Sequence, residues 1–374
     1  MTKKSSTSKT SAQAPSAVIR QHAEQEYAEE LAAIREEDNF PKPENWLTSP
    51  KMTLLYLLGG KTPKGKEISP KYVGDPRLME MAIATLATDR ALLLYGLPGT
   101  AKSWVSEHLA AAVSGDSTLL IQGTAGTDES ALRYSWNYAQ LIANGPSPEA
   151  LVESPTMRGM RAGKVVRVEE LTRVGSDVQD ALITILSEKT LPIPELSSEV
   201  QAQKGFNIIA TANNRDRGVN ELSSALARRF NTVVLPPPAT LEDEVTIVRR
   251  RVEQLGRAFE YPVETPAADE LRRIVTIFRE LRAGVTLDGK TKIKQPSGTL
   301  STAEAISVVN NGLACAGYFG SGKLTAADLA TSLVGAIVKD PAADAVAWRE
   351  YRQTIMKNRE DWKDLFNACK EIDE

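Results

Sequence analysis

Gly96-Leu97-Pro98-Gly99-Thr100-Ala101-Lys102-Ser103 is the stretch from which the rest of this chain is read. An apolar run of strand length, Ala91-Leu92-Leu93-Leu94-Tyr95, precedes it. An Ala-rich segment from Trp104 to Val113, with Val105, Leu109 and Val113 at helical spacing, follows it. Strand, glycine-rich turn and helix are the setting in which a phosphate-binding loop works. Glycines let the backbone curl so that N–H groups point at phosphate oxygens. The helix presents its positive end to the same anion. Lys102 is expected to reach the β- and γ-phosphates, and the Ser103 hydroxyl to ligate Mg²⁺. The usual pattern has Gly before the lysine, whereas this chain has Ala101. The position is read as the opening of a right-handed helix, where Ala is tolerated. The competing reading is a structural turn with an incidental lysine.

The strands that follow place more chemistry. Thr118–Gln122 reads as a second strand and Lys164–Val168 as a third, ending at Glu169-Glu170. Phe206–Thr211 reads as a fourth, ending at Ala212-Asn213-Asn214, and Asn231–Leu235 as a fifth, closed by Pro236-Pro237-Pro238. Helical stretches, Asp177–Glu188 among them, alternate with the strands, which predicts a parallel α/β sheet with its ligand edge at the carboxyl ends. Mg²⁺ prefers hard oxygen ligands and keeps water in its shell. Glu169 fits an anchor for the hydrated metal, and Glu170 a group that polarises the attacking water. The Asn213 amide fits a contact to the γ-phosphate or to that water, against the alternative of a turn-forming Asn in Asn213-Asn214-Arg215-Asp216. Arg228-Arg229-Phe230 offers a guanidinium suited to phosphoryl-transfer charge, aimed at its own site or at a neighbour's. The alternative is a surface arginine pair.

The flanks are plainer. Residues 1–16 read as a solvated tail, and 17–70 as an N-terminal helix (Ser16–Glu37, peripheral or partner-facing) plus a proline-bearing connector. Residues 71–238 form the α/β unit. From 239 to 374, five successive helical stretches make an all-helical unit, with a small hairpin or ordered loop at Gly284–Gly298. The 374 residues carry a net charge of −3, with 42% hydrophobic and 25% charged residues. That balance gives no reason to expect nucleic acid or a membrane surface. No apolar run reaches the ~18 residues of a spanning helix, and no signal peptide is visible. Cys315 and Cys369 fit a reducing compartment, here the cytoplasm. With only His22 and His108, a His-based metal site or a Ser-His triad is nearly excluded.

Taken together, the landmarks resemble a MoxR-type AAA+ ATPase. They are the loop with Ala before its lysine, Ile121-Gln122-Gly123-Thr124 running into Asp128-Glu129-Ser130, and Val178–Leu182 with Ser187–Pro194, similar to the helix-2 insert region. Ile209–Asn213 is similar to the sensor-1 strand, and Leu222–Phe230 to the arginine-finger segment. The resemblance implies a P-loop AAA+ five-stranded sheet in the order 5-1-4-3-2 with a helical lid. It also implies ATP and Mg²⁺ as ligands and a ring, most simply a hexamer, in which Arg229 completes the neighbour's site. Nucleotide contacts would come from Gly96, Pro98, Gly99, Thr100, Ala101, Lys102, Ser103 and Trp104. Ser103 and Glu169 would serve the metal, Glu170, Asn213 and Arg229 catalysis, and Arg173 and Arg228 contacts across the interface. Such proteins are chaperone-like remodellers of protein clients, often paired with a von Willebrand factor A domain protein. Three departures stand out: Glu169 where Asp is usual, Ala303 where a sensor-2 arginine is expected, and the doubled Arg228-Arg229. The first two also admit a nucleotide-dependent assembly scaffold with very slow hydrolysis.

Overall fold

The computed structural model describes residues 18–213, 220–263 and 266–373. Its centre is a five-stranded parallel sheet: β1 (Ala91–Gly96), β2 (Leu120–Gln122), β3 (Val165–Glu169), β4 (Asn207–Asn213) and β5 (Phe230–Val234). The order is β5-β1-β4-β3-β2, the expected 5-1-4-3-2. β1, β3 and β4 are buried on nearly every residue because both faces are covered. Leu92, Leu94, Val165 and Ile209 face one layer, built on α1 (Lys102–Ser114). Leu93, Val166, Val168, Ile208 and Ala210 face the other, built on α2 (Ser176–Ser187). The register sets Asn213 beside Gly96, Ala210 beside Val168 and Gln122 beside Glu169. The carboxyl ends of β1, β3 and β4 therefore share one edge.

Helices α3 (Leu241–Phe259), α4 (Ala268–Ala283), α5 (Thr302–Tyr318), α6 (Ala326–Ile337), α7 (Asp344–Thr354) and α8 (Lys363–Asp373) share a separate core around Phe278, Trp348 and Tyr351. The last of these helices had no counterpart in the sequence reading. The fully buried Glu244 ties the first three together. It accepts from Arg279 Nη1 at 2.8 Å, Arg282 Nη2 at 2.7 Å and Thr302 Oγ1 at 2.7 Å. Arg279 also donates to the carbonyls of Pro238 and Ala239, so the same cluster grips the connection from the sheet. The segment after α4 turns at Gly289 and forms one antiparallel bridge, Val285 to Lys292, as a small hairpin requires.

Two expectations are corrected. An insert in the second helix must lie between β2 and β3, and there the chain forms the hairpin Tyr134–Trp136 with Leu151–Glu153, carrying the short helix Tyr138–Asn144. The stretch Val178–Pro194 instead makes α2 and opens a second hairpin, Thr190–Ile193 with Ser198–Gln201. The N-terminal helix, read as peripheral or partner-facing, is also not peripheral on the face that carries its apolar residues. It breaks into Ala23–Glu26 and Ala28–Glu36, and Leu31 and Ile34 are 1% and 0% exposed in the layer over α1. Burying each contributes roughly 1.5–3 kcal/mol, more than a peripheral helix could forgo. Its Tyr27 packs on His108, which is buried and bonded to the Tyr56 hydroxyl at 2.8 Å. Burial holds the His108 imidazole well below its usual range, with the Lys71 charge acting in the same direction. The tail at 1–16 lies outside the described residues.

Candidate functional site

The phosphate-binding loop closes on itself. Thr100 Oγ1 donates to the Leu97 carbonyl at 2.9 Å, and Lys102 Nζ donates to Gly96 and Leu97 carbonyls at 3.1 and 2.7 Å. Gly99 has φ 76°, and a Cβ there would meet Ser301 Cβ at 2.3 Å, so this glycine is what lets the N-cap of α5 sit on the loop. α1 opens without a side-chain cap. Its first N–H groups, on Lys102, Ser103 and Trp104, have no intrahelical acceptor. A curled loop, an uncapped helix end and a buried lysine ammonium suit an oligophosphate.

Ala101 differs from its reading. It lies at φ 64°, ψ 20°, the left-handed region, and not in a right-handed helix. The last residue of the loop must reverse its curl before α1 starts, which is why Gly is usual there. Alanine in this region costs about 1–2 kcal/mol, offset by about 0.5–1 kcal/mol because it loses less freedom than Gly on folding. Ala101→Gly is therefore expected to raise the melting temperature by about 2 °C, read by calorimetry. A lowered melting temperature would contradict the strain.

Behind the loop, Glu169 is 3% exposed and fully engaged. Its Oε2 accepts from Ser103 Oγ and Thr211 Oγ1, each at 2.6 Å. Its Oε1 accepts from Arg167 Nη2 at 2.9 Å and from Ser106 Oγ. Glu170 sits just past the strand at φ 56°. A carboxylate residue held in the left-handed region is strained, as residues poised for function often are. Its carboxylate accepts from Asn213 Nδ2 at 3.1 and 2.9 Å, and Arg173 Nε lies 3.4 Å from Oε2. Asn213 thus meets Glu170 directly. Arg173, expected to make a contact across an interface, makes this one to Glu170 within its own chain. The turn expected at Asn214–Asp216 lies outside the described residues.

Ser103 Oγ and Glu169 Oε2 are hard oxygens on one side of the loop, and Glu170 is close by. Among the described residues no group of three or more His, Cys, Asp or Glu side chains could hold a metal. Mg²⁺ bound through one or two protein oxygens and substrate phosphates suits such a donor set.

Trp104 turns away from the loop. Its Nε1 donates to the Lys71 carbonyl at 2.8 Å, and its ring lies 4.3 Å from that of His108 and 5.1 Å from the Arg251 guanidinium. Only its backbone faces the helix end. Ala303 is exposed, and Arg282, from the end of α4, lies in the crevice between loop and lid with Pro98, Pro238 and Ser301. Arg228 and Arg229 lie at the far edge of the sheet, since the Arg229 carbonyl accepts from Ala91 N at 3.1 Å. Arg229 donates to Ser187 Oγ and the Ala225 carbonyl, while Arg228 is exposed.

Arg167, Ser106, Thr211 and Arg282 were missed in the sequence. Only the first carried a signal: a charge two residues before an acid, inside an otherwise apolar strand, faces the same way as that acid.

Residues 91–230 match the AAA domain of the dynein-related subfamily, and residues 242–373 match the YehL-like AAA+ ATPase C-terminal domain. The uncharacterized protein YehL of Escherichia coli is 42% identical over 347 residues, which cover 91% of this chain and 94% of YehL. An uncharacterized protein of Staphylococcus haemolyticus is 23% identical over 241 residues, 58% of this chain and 90% of that protein. The crystal structure of NtrX from Brucella abortus in complex with ADP shares the fold, with TM-score 0.50 and 14% identity over 80% of this chain. The matched part is 64% of that protein, so the chain spans less than two thirds of NtrX. No helix among the described residues is long and apolar enough to cross a membrane.

Proposed function

This chain belongs to the YehL-like AAA+ ATPases, and on that premise we propose that it hydrolyses ATP at the edge shared by β1, β3 and β4. The observation that carries the reading is the convergence there of the Lys102 loop, Glu169, Glu170 and Asn213 from three different strands. Loop N–H groups and Lys102 bind the phosphates. Mg²⁺, on the side of Ser103 and Glu169, would supply charge to the developing phosphoryl oxygens. Glu170, held by Asn213, orients the attacking water and accepts its proton. Arg229 serves the site of an adjoining copy, in a ring that is most simply a hexamer. In the MoxR manner such a ring, working in the cytoplasm, would remodel a protein client with a von Willebrand factor A domain partner.

Glu170→Gln is expected to lower phosphate release about a hundredfold or more, the scale of losing a general base, while leaving nucleotide binding intact. The measurement is turnover and mass of the purified protein with and without ATP·Mg²⁺. Equal turnover in the variant would remove the hydrolytic assignment. A second reading, a nucleotide-dependent assembly scaffold, is favoured by the Arg167 contact on Glu169 and by Ala303. Ring formation and tight binding with negligible turnover in the wild type would select it.

A further inference from the structure

Arg167 and Glu169 form a buried ion pair at the base of the nucleotide loop. We propose that Arg167 is a positioning residue that takes up one oxygen of Glu169 and offsets its charge, so that nucleotide binding in this chain depends only weakly on Mg²⁺. The inference rests on the nucleotide site proposed above.

Arg167 and Glu169 are two residues apart on β3, so both side chains face α1. They are 5% and 3% exposed. The guanidinium is fixed from several sides. Nε donates to Ser106 Oγ at 3.0 Å, Nη1 to the Ser117 carbonyl at 3.1 Å, and Nη2 to the Ser103 carbonyl at 3.1 Å and to Glu169 Oε1 at 2.9 Å. Three of these contacts are to groups other than the carboxylate, so the arginine keeps its place whatever Glu169 does. Two of them, Ser103 and Ser106, belong to the first turns of α1, the helix that receives the phosphates.

The division of the carboxylate follows. Oε1 accepts from Arg167 and Ser106, and Oε2 accepts from Thr211 Oγ1 and from Ser103 Oγ, the hydroxyl expected on the metal. Glu at this position and an arginine two residues earlier are thus a matched pair. A divalent cation beside Ser103 meets a carboxylate whose charge is already partly neutralised at hydrogen-bond distance.

The test uses fluorescent ADP and ATP analogues on the full chain, with EDTA and with saturating Mg²⁺. The readout is the factor by which Mg²⁺ tightens binding, which a purely structural role would not move. In the wild type that factor is expected to be about tenfold or less. In Arg167→Gln it is expected to rise about a further tenfold, because a positive charge a few Å from the cation has gone. A factor in folded Arg167→Gln within twofold of the wild type would overturn the proposal. Should that variant not fold, the wild type decides: a factor of about tenfold or less supports the proposal, and a larger one overturns it. Absence of nucleotide binding to the wild type in both conditions is a different failure, which removes the nucleotide site and this inference with it.

Discussion

Mixing Arg229→Ala subunits with Glu170→Gln subunits is expected to restore ATP hydrolysis that neither variant shows alone. The Arg229 carbonyl is bonded to the first residue of β1, while the phosphate loop begins at the last, Gly96. At about 3.3 Å per residue those two ends are roughly 17 Å apart, more than twice the reach of an extended arginine. Arg229 cannot serve its own chain's Lys102 and Glu170. If it acts on a phosphoryl group, it acts on the next copy's. An arginine finger is worth about 10³–10⁵ in rate, so Arg229→Ala alone should fall by at least about a thousandfold, roughly 4 kcal/mol of barrier. Glu170→Gln retains the arginine and loses the base. In a randomly mixed ring, a site is competent when it keeps Glu170 and its neighbour keeps Arg229, which gives roughly a quarter of wild-type turnover at equal mixing. Turnover that stays at background would rule out the trans role. Arg228→Ala is the control for register. Arg229 is tied to Ser187 and Ala225 in the single chain, and Arg228 is exposed. If Arg228→Ala gives the thousandfold loss and Arg229→Ala does not, the finger is one residue earlier.

The sheet was legible because its strands are largely apolar runs, four of them closed by Gly, Asn or Pro and the third by Glu169-Glu170, and that pattern survives without any tertiary information. Its 5-1-4-3-2 order came from the family resemblance, since nothing in the spacing of five strands dictates which are neighbours. Glu169, Glu170 and Asn213 were placed correctly as strand ends, and the register brings them together. What escaped was contact between side chains far apart in the chain. Arg167 reads as a blemish in a strand until Ser103, Ser106 and Ser117 are folded around it. Ala101 was misread because its residue type argues for a right-handed helix, while the curl of the loop demands the opposite hand. The sparse apolar points of the N-terminal helix suggested a loose element. Two of them, Leu31 and Ile34, are enough to seat it, because both are buried in the apolar cluster that includes Leu109, Ala110 and Val113 of α1.

Lys102→Ala is expected to weaken ATP and ADP binding by about a hundredfold or more while the fold persists. Lys102 is the first residue of α1 and is 6% exposed, with its ammonium drawn among the carbonyls of Gly96 and Leu97. A charge held there serves two opposed purposes. It costs desolvation in the folded chain, and it is already in place when phosphates enter the loop. Removing it forfeits charge-assisted hydrogen bonds worth about 1.5–3 kcal/mol each, plus attraction to the remaining phosphate charge. For the fold the two effects nearly cancel, because the lost bonds to loop carbonyls are offset by the relief of a buried charge. Titration calorimetry with ADP, circular dichroism and the melting temperature separate the cases. Unchanged affinity in a folded variant would mean that the phosphates lie elsewhere. A collapsed melting temperature would instead make Lys102 a structural clasp of the loop, and binding would then have to be judged from Ser103→Ala, whose hydroxyl touches Glu169 without holding the loop shut.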